Sequence, residues 1–195
     1  MVFPRCLVAT LLLLVSVGCS SRAKEEERIG HPWFGAARIG DLQAMETQLT
    51  AGAAVDQASS AGTTALHVAA LNGNVKVVRW LLEKGADVNR LDNDKTDALG
   101  YALSGATTGP KLGELVEILI KAGGNPFHQS AIGFIAIEEM VERGLADQLR
   151  LLSYTDKKQC DRMPSRGRDG LTLSQIARKS GQSQIAEFLE SQGCW

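Results

Sequence analysis

The chain has 195 residues, of which 44% are hydrophobic and 22% charged, values that exclude wholesale disorder. Lys plus Arg number 21 against 22 Asp plus Glu, for a net charge of −1, so the broad basic footprint of a nucleic-acid binder is missing. Glycine is frequent, 20 residues in 195, which points to many tight turns.

Residues 1–18 read MVFPRCLVATLLLLVSVG. Arg5 precedes an apolar run from Cys6 to Val17. At 1.5 Å per residue that run spans only ~18 Å, short of a bilayer core of ~30 Å. A positive start followed by a short apolar stretch predicts a secretory signal peptide. Its end, Val15-Ser16-Val17-Gly18-Cys19, resembles the lipobox of bacterial lipoproteins. That resemblance implies that Cys19 is lipidated and becomes the new N-terminus. Ser20, in place of the Asp that retains such proteins in the inner membrane, implies the periplasmic face of the outer membrane. Residues 19–29 are then a polar, lipidated tether. After processing, Cys160 and Cys194 are the remaining thiols in an oxidising compartment and are expected to form a disulfide. No Cys-x-x-Cys or Cys/His grouping has metal-ligand spacing, so no metal or cofactor is expected.

From residue 30 onward the chain repeats itself. Thirty-three residues before Ala69-Ala70 stands Ala36-Ala37, and Gly40, Gly52 and Val55 fall in register with Gly73, Gly85 and Val88. Thirty-three residues after Ala65-Leu66 comes Ala98-Leu99. Five extra residues enter near Thr107 to Gly113, after which Leu115-Val116-Glu117-Ile118-Leu119 overlays Val77-Val78-Arg79-Trp80-Leu81. Further units follow, with Ala136-Ile137 and Gly144, then Ala177, Gly181 and Gly193, in the same places. Paired alanines allow one helix to approach its neighbour closely. Gly73 and Gly85 suit left-handed residues at helix ends. Val77, Val78, Leu81 and Leu82 recur at helical spacing as an apolar stripe, and Trp80 is read as core.

A unit reading Thr64-x-Leu66-His67-x-Ala69-Ala70, then Gly73, Val77, Leu81-Leu82, Gly85-Ala86 and Asn89, resembles the ankyrin repeat. The resemblance implies an all-α ankyrin solenoid of about five helix-turn-helix repeats with β-turn fingers, approximately 30–58, 59–91, 92–129, 130–166 and 167–195. It gives Thr64 and His67 a structural role at a helix start. It also implies that another protein is bound through a concave face built from the fingers and the exposed side of the first helices. The corresponding positions are Arg38 and Ile39; Ser60, Ala61, Thr63, Leu71 and Asn72; Leu91, Asn93, Asp94, Thr96 and Ser104; and Ala131, Ile132, Phe134, Glu142 and Arg143. Leu71, Ile132 and Phe134 stand out as large apolar groups at exposed sites, with Asn93, Asp94 and Arg143 as polar rim contacts.

Signals for catalysis are weak. Residues 105–112, GATTGPKL, lack the spacing of a phosphate loop and fall between two helices. Glu138, Glu139 and Glu142 are expected along a solvated helix face. His31 and His128 are assigned surface or turn roles, and the basic loop with Lys157, Lys158, Arg162, Arg166 and Arg168 is diluted by acids. The expectation is therefore a monomeric, non-enzymatic, lipid-anchored periplasmic protein that binds a protein partner and no nucleic acid. Within that class lie an immunity or inhibitor protein against a periplasm-acting toxin and an envelope scaffold, with a small hydrolase as a remote alternative.

Overall fold

Each 33-residue unit divides into two short helices because its apolar positions follow helical spacing on either side of a glycine turn. The computed structural model describes residues 31–131, 133, 135–153 and 170–191. Ten α-helices lie among them: α1 (Pro32–Ile39), α2 (Leu42–Thr50), α3 (Ala65–Leu71), α4 (Val75–Glu83), α5 (Ala98–Ser104), α6 (Gly109–Lys121), α7 (Ala136–Glu142), α8 (Ala146–Ser153), α9 (Leu173–Lys179) and α10 (Ser183–Ser191). Two isolated bridges, Ala58 with Thr64 and Gln129 with Ile135, close two of the fingers, and the described residues hold no longer strand. The all-α solenoid anticipated from the repeat is thus the observed architecture.

Helix starts follow local chemistry. Pro32 occupies the first turn of α1, where a missing N–H costs nothing, and His31 Nδ1 accepts from Trp33 N at 3.3 Å. Asp41 Oδ1 accepts from Ala44 N at 2.9 Å to start α2. Thr64 and His67 form a reciprocal cap on α3, and Thr172 with Gln175 does the same on α9. In repeat three Asp97 replaces the threonine and accepts from Gly100 N at 2.8 Å. Ile135 stands at the equivalent place before α7 and supplies no side-chain cap. Gly73 and Gly85 take φ of 64° and 89°, the left-handed conformation expected of them.

The first helices pack in a row, α1 on α3, α3 on α5, α5 on α7 and α7 on α9, and each also packs on its own second helix. Ala36, Ala37, Ala69, Ala70, Ala102 and Ala177 are buried along that row. The second helices contribute Val77, Val78, Leu81, Leu115, Val116, Leu119, Ile185 and Leu189 to the same core. Trp33 is fully buried, but Trp80 is only half-buried and closes the edge of the core rather than lying in it. Its ring meets Trp33 at 6.3 Å and 56°, while Lys84 Nζ lies 5.5 Å from its centroid. An indole carries more volume than the aliphatic side chains at the equivalent places, and part of it stays at the surface. Glu138, expected in solvent, is buried in the first turn of α7; the frame of a degenerate repeat does not fix which side of a short helix faces inward.

Space around two glycines tests this packing. A β-carbon on Gly105 would lie 2.3 Å from the backbone oxygen of Leu71, whereas one on Gly35, within α1, would meet nothing within 4 Å. Gly105→Ala is expected to destabilise the fold by about 1–3 kcal/mol through overpacking against backbone. Gly35→Ala is expected to stabilise it by roughly 0.5–1 kcal/mol through helix propensity. Urea midpoints of the two variants check both signs.

Candidate protein-binding surface

The fingers owe their shape to hydrogen bonds made both within a repeat and between neighbouring repeats. His67 is buried, and its Nδ1 accepts from Thr64 N at 3.0 Å. That fixes the neutral tautomer, so Nε2–H donates to the carbonyl of Arg90 in the next finger at 2.9 Å. Asp92 then folds this finger: Oδ1 accepts from Asp94 N at 2.9 Å and Thr96 N at 2.8 Å. Its Oδ2 accepts from Tyr101 Oη–H at 2.7 Å. The Tyr101 ring packs on His67 at 4.9 Å, and Thr63 Oγ1 donates to the phenol oxygen at 3.4 Å.

Neighbouring fingers are stitched edge to edge. Asn93 N donates to Ala61 O at 3.0 Å, and Asn93 Nδ2 to Ser60 O at 3.0 Å. Ala131 N donates to Asp94 O at 2.8 Å, and His128 Nε2 to Lys95 O at 2.9 Å. Further from the tips, Asn89 Nδ2 donates to Gly123 O, while Asn89 Oδ1 accepts from Asn125 N. Lys95 has φ of 57° at the place where Gly62 and Gly133 have 78° and 80°; it is the single described non-glycine with positive φ. The bonds on either side of it hold that conformation.

This arrangement sets the predicted contact residues in order. Arg38 and Ile39 are exposed at the end of α1, with Ile39 72% accessible. Leu71, 38% accessible, and Asn72 end α3, Ser104 ends α5, and Glu142 ends α7. Ser60, Ala61, Leu91, Asn93, Asp94 and Ala131 are exposed on the fingers, with Leu91 39% accessible. Thr63 and Thr96 are half-buried. Two assigned rim contacts have other work: the Asn93 amide is committed to Ser60, and Arg143 is half-buried and ion-paired with Glu139 one turn earlier. Ile132, Phe134, Cys19, Cys160 and Cys194, together with the basic loop, lie outside the described residues. Sequence reasoning missed Asp92 and Tyr101, and it gave His128 a surface or turn role without its bond to Lys95 O. The Asp92-x-Asp94 turn carried a local signal for the first, but nothing in a single repeat marks a phenol that reaches the preceding finger.

Among the described residues no group of three His, Cys, Asp or Glu could hold a metal ion, and no helix is long and apolar enough to cross a membrane. Burial lowers the His67 pKa from its ordinary 6.5, against smaller opposing effects of the Arg90 carbonyl, Asp92 and Asp97. Burial raises the Asp97 carboxyl above its ordinary 3.8, opposed chiefly by the hydrogen bond from Gly100 N. A histidine with a lowered folded pKa is protonated first in the unfolded chain. Its contribution is therefore intact above about 6.5 and is lost as pH falls from there through the folded value. The Asp97 contribution has the opposite sign and is lost as pH rises from 3.8 through its folded value. Thermal melts between roughly pH 7 and pH 5 should show stability falling with acid, and His67→Gln, which cannot titrate, should flatten that slope.

A family model of ankyrin repeats in three copies matches residues 33–130, half of the chain. A potassium channel, AKT1 of Arabidopsis thaliana, is 39% identical over 64 residues, 33% of this chain and 8% of that protein. Ankyrin repeat domain-containing protein 29 of Homo sapiens is 40% identical over 72 residues, 36% of this chain and 24% of that protein. Ankyrin repeat, SAM and basic leucine zipper domain-containing protein 1 of Bos taurus is 33% identical over 91 residues, 47% of this chain and 19% of that protein. The matched region thus spans less than a quarter of the length of each of these relatives. Ankyrin repeats generally act as non-enzymatic modules for contacts between proteins. The 33-residue period, the row of first helices, the stitched fingers and the matched model together assign this chain to the ankyrin repeat family.

Proposed function

We propose that this chain is a lipid-anchored periplasmic ankyrin repeat protein that binds another protein through the face formed by its fingers and first-helix ends. The observation that carries the binding face is the stitching of fingers two, three and four by Asn93, Ala131 and His128. Side chains displayed on ordered backbone lose little further freedom on association, which lowers the cost of binding. Leu71 and Leu91 present apolar surface on that rigid frame, and Asp94, Ser104 and Glu142 add exposed polar groups to it. Phe134 and Ile132 belong to the same set by their place in the repeat.

The anchor rests on the sequence of residues 1–19 alone. Two or more acyl chains give stable attachment where one is marginal. Cys19→Ala should move the protein from the membrane to the soluble periplasmic fraction. Retention of the variant on membranes, with no lipid mass on the wild type, would refute the anchor and leave the binding face standing.

The face is tested separately. After affinity capture from the envelope and identification of the partner, titration of Leu71→Ala and Leu91→Ala should each show a loss of about 1–2 kcal/mol in binding. Melting temperatures should barely move, because partly exposed side chains contribute little to the core. A large drop in melting temperature with affinity intact would place the partner elsewhere.

A further inference from the structure

The insertion between α5 and α6 changes the solenoid on the edge away from the fingers. Helix α6 has 13 residues where α4 has 9, and the additional turn lies at its N-terminal end, beginning at Gly109. That turn stands beside the α3–α4 junction. The loop before it is locked against the junction, since a β-carbon on Gly73 would lie 2.2 Å from Thr107 Oγ1 and one on Gly105 would meet the Leu71 carbonyl. Between the added turn and the end of α1 lies a groove of about 500 Å³. A repeat without the insertion has no such wall.

The groove has a definite chemistry. Its apolar contribution comes from half-buried Val75 and above all from Ile39, the most exposed large hydrophobic side chain among the described residues. Two cations, Lys76 and Lys111, line it from facing helices, and both are exposed. Arg79, Lys84, Lys121, Arg143, Arg150 and Arg178 are engaged by carboxylates, whereas Lys76 and Lys111, like Arg38, Arg90 and Lys95, have no side-chain ion pair or hydrogen bond among the described residues. The acid that lines the groove, Glu114, is already held by Arg79 at 3.0 Å. Asp41, close by at the start of α2, accepts from Ala44 N. The lining therefore carries an unmatched positive charge beside an exposed aliphatic group.

We propose that this groove is a second binding site, which takes an acidic peptide segment carrying an apolar side chain. Carboxylates of the segment lie between Lys76 and Lys111, and its apolar side chain covers Ile39. A recess walled by two helices fits an extended chain, whereas a lipid surface would meet only the rims. The site lies at the first-helix ends, away from the finger tips, and shares Ile39 with the proposed protein-binding face.

The test uses the mature domain and a fluorescent Glu-Leu-Glu-Leu-Glu peptide, with the Gln-Leu-Gln-Leu-Gln peptide as control, followed by anisotropy. The acidic peptide should bind more tightly than the control and lose affinity as salt is raised. Combining Lys76→Glu with Lys111→Glu should weaken it roughly tenfold or more. Ile39→Ser should weaken both peptides. Leu91→Ala, on a finger and outside the groove lining, should leave peptide binding unchanged, which separates this site from the finger tips. Equal binding of the two peptides, no binding at millimolar concentration, or indifference to the double charge reversal would overturn the proposal. So would Lys76- and Lys111-dependent binding to phosphatidylglycerol vesicles without peptide binding, which would assign the charges to a membrane surface instead.

Discussion

Two helices of seven to thirteen residues joined by a short connection cannot bury their apolar faces on each other alone, so every repeat here depends on its neighbours. What makes that dependence workable is the small size of the residues between the first helices. Ala36 and Ala37 of α1, Ala69 and Ala70 of α3 and Ala102 of α5 are almost completely buried. They bring backbones close enough for the fingers above them to meet at hydrogen-bond distance. A leucine at any of these places would separate the helices and pull the fingers apart with them. Close helix packing is therefore the condition on which the order of the fingers rests, and stability adds up along the stack from one interface to the next.

Repeat three shows how the scheme survives a departure from its own pattern. Repeat two ties its helix to the following finger through His67, but the corresponding residue in repeat three is Gly100, which has no side chain to reach with. The link runs the other way: His128, on the following finger, donates back to Lys95. At the same time Tyr101 braces the finger from below through Asp92, and Asp97 replaces threonine as the helix cap. The finger from Leu91 to Thr96 is thus held at both flanks and at its base. It is also where a lysine adopts the backbone conformation that its neighbours leave to glycine.

What could be read from the sequence was whatever each repeat states locally. The paired alanines, the turns at Gly73 and Gly85, the Thr64–His67 cap and the stripe of Val77, Val78 and Leu81 all follow from spacing within one unit, and the architecture follows from them. What could not be read was decided between units. Tyr101 meets Thr63 on the preceding finger, 38 residues back, as well as Asp92 in its own repeat. Asn93 looked like a free polar contact until the neighbouring finger claimed its amide. Glu138 and Trp80 depend on how far a degenerate or overfilled position rotates toward the core, which hydrophobic periodicity in a seven- or nine-residue helix fixes poorly. Exposure at the candidate binding face was legible for Leu71, Ser104 and Glu142 because helix ends are locally defined.

The ties between repeats also govern how the chain assembles. His67 bonds a carbonyl 23 residues away, Asn93 one 33 away, Asn89 one 34 away, and Asn74 one 37 away. Loop-closure entropy rises only as the logarithm of length, so these closures differ by a few tenths of a kcal/mol. No interface has a topological head start, and among the described residues the main helix pairs all lie within a repeat or between neighbouring repeats. The order of assembly is set by which neighbouring pair adheres best. Repeats two and three, joined by alanine packing, the histidine bond and the tyrosine brace, share the densest packing between first helices among the described residues.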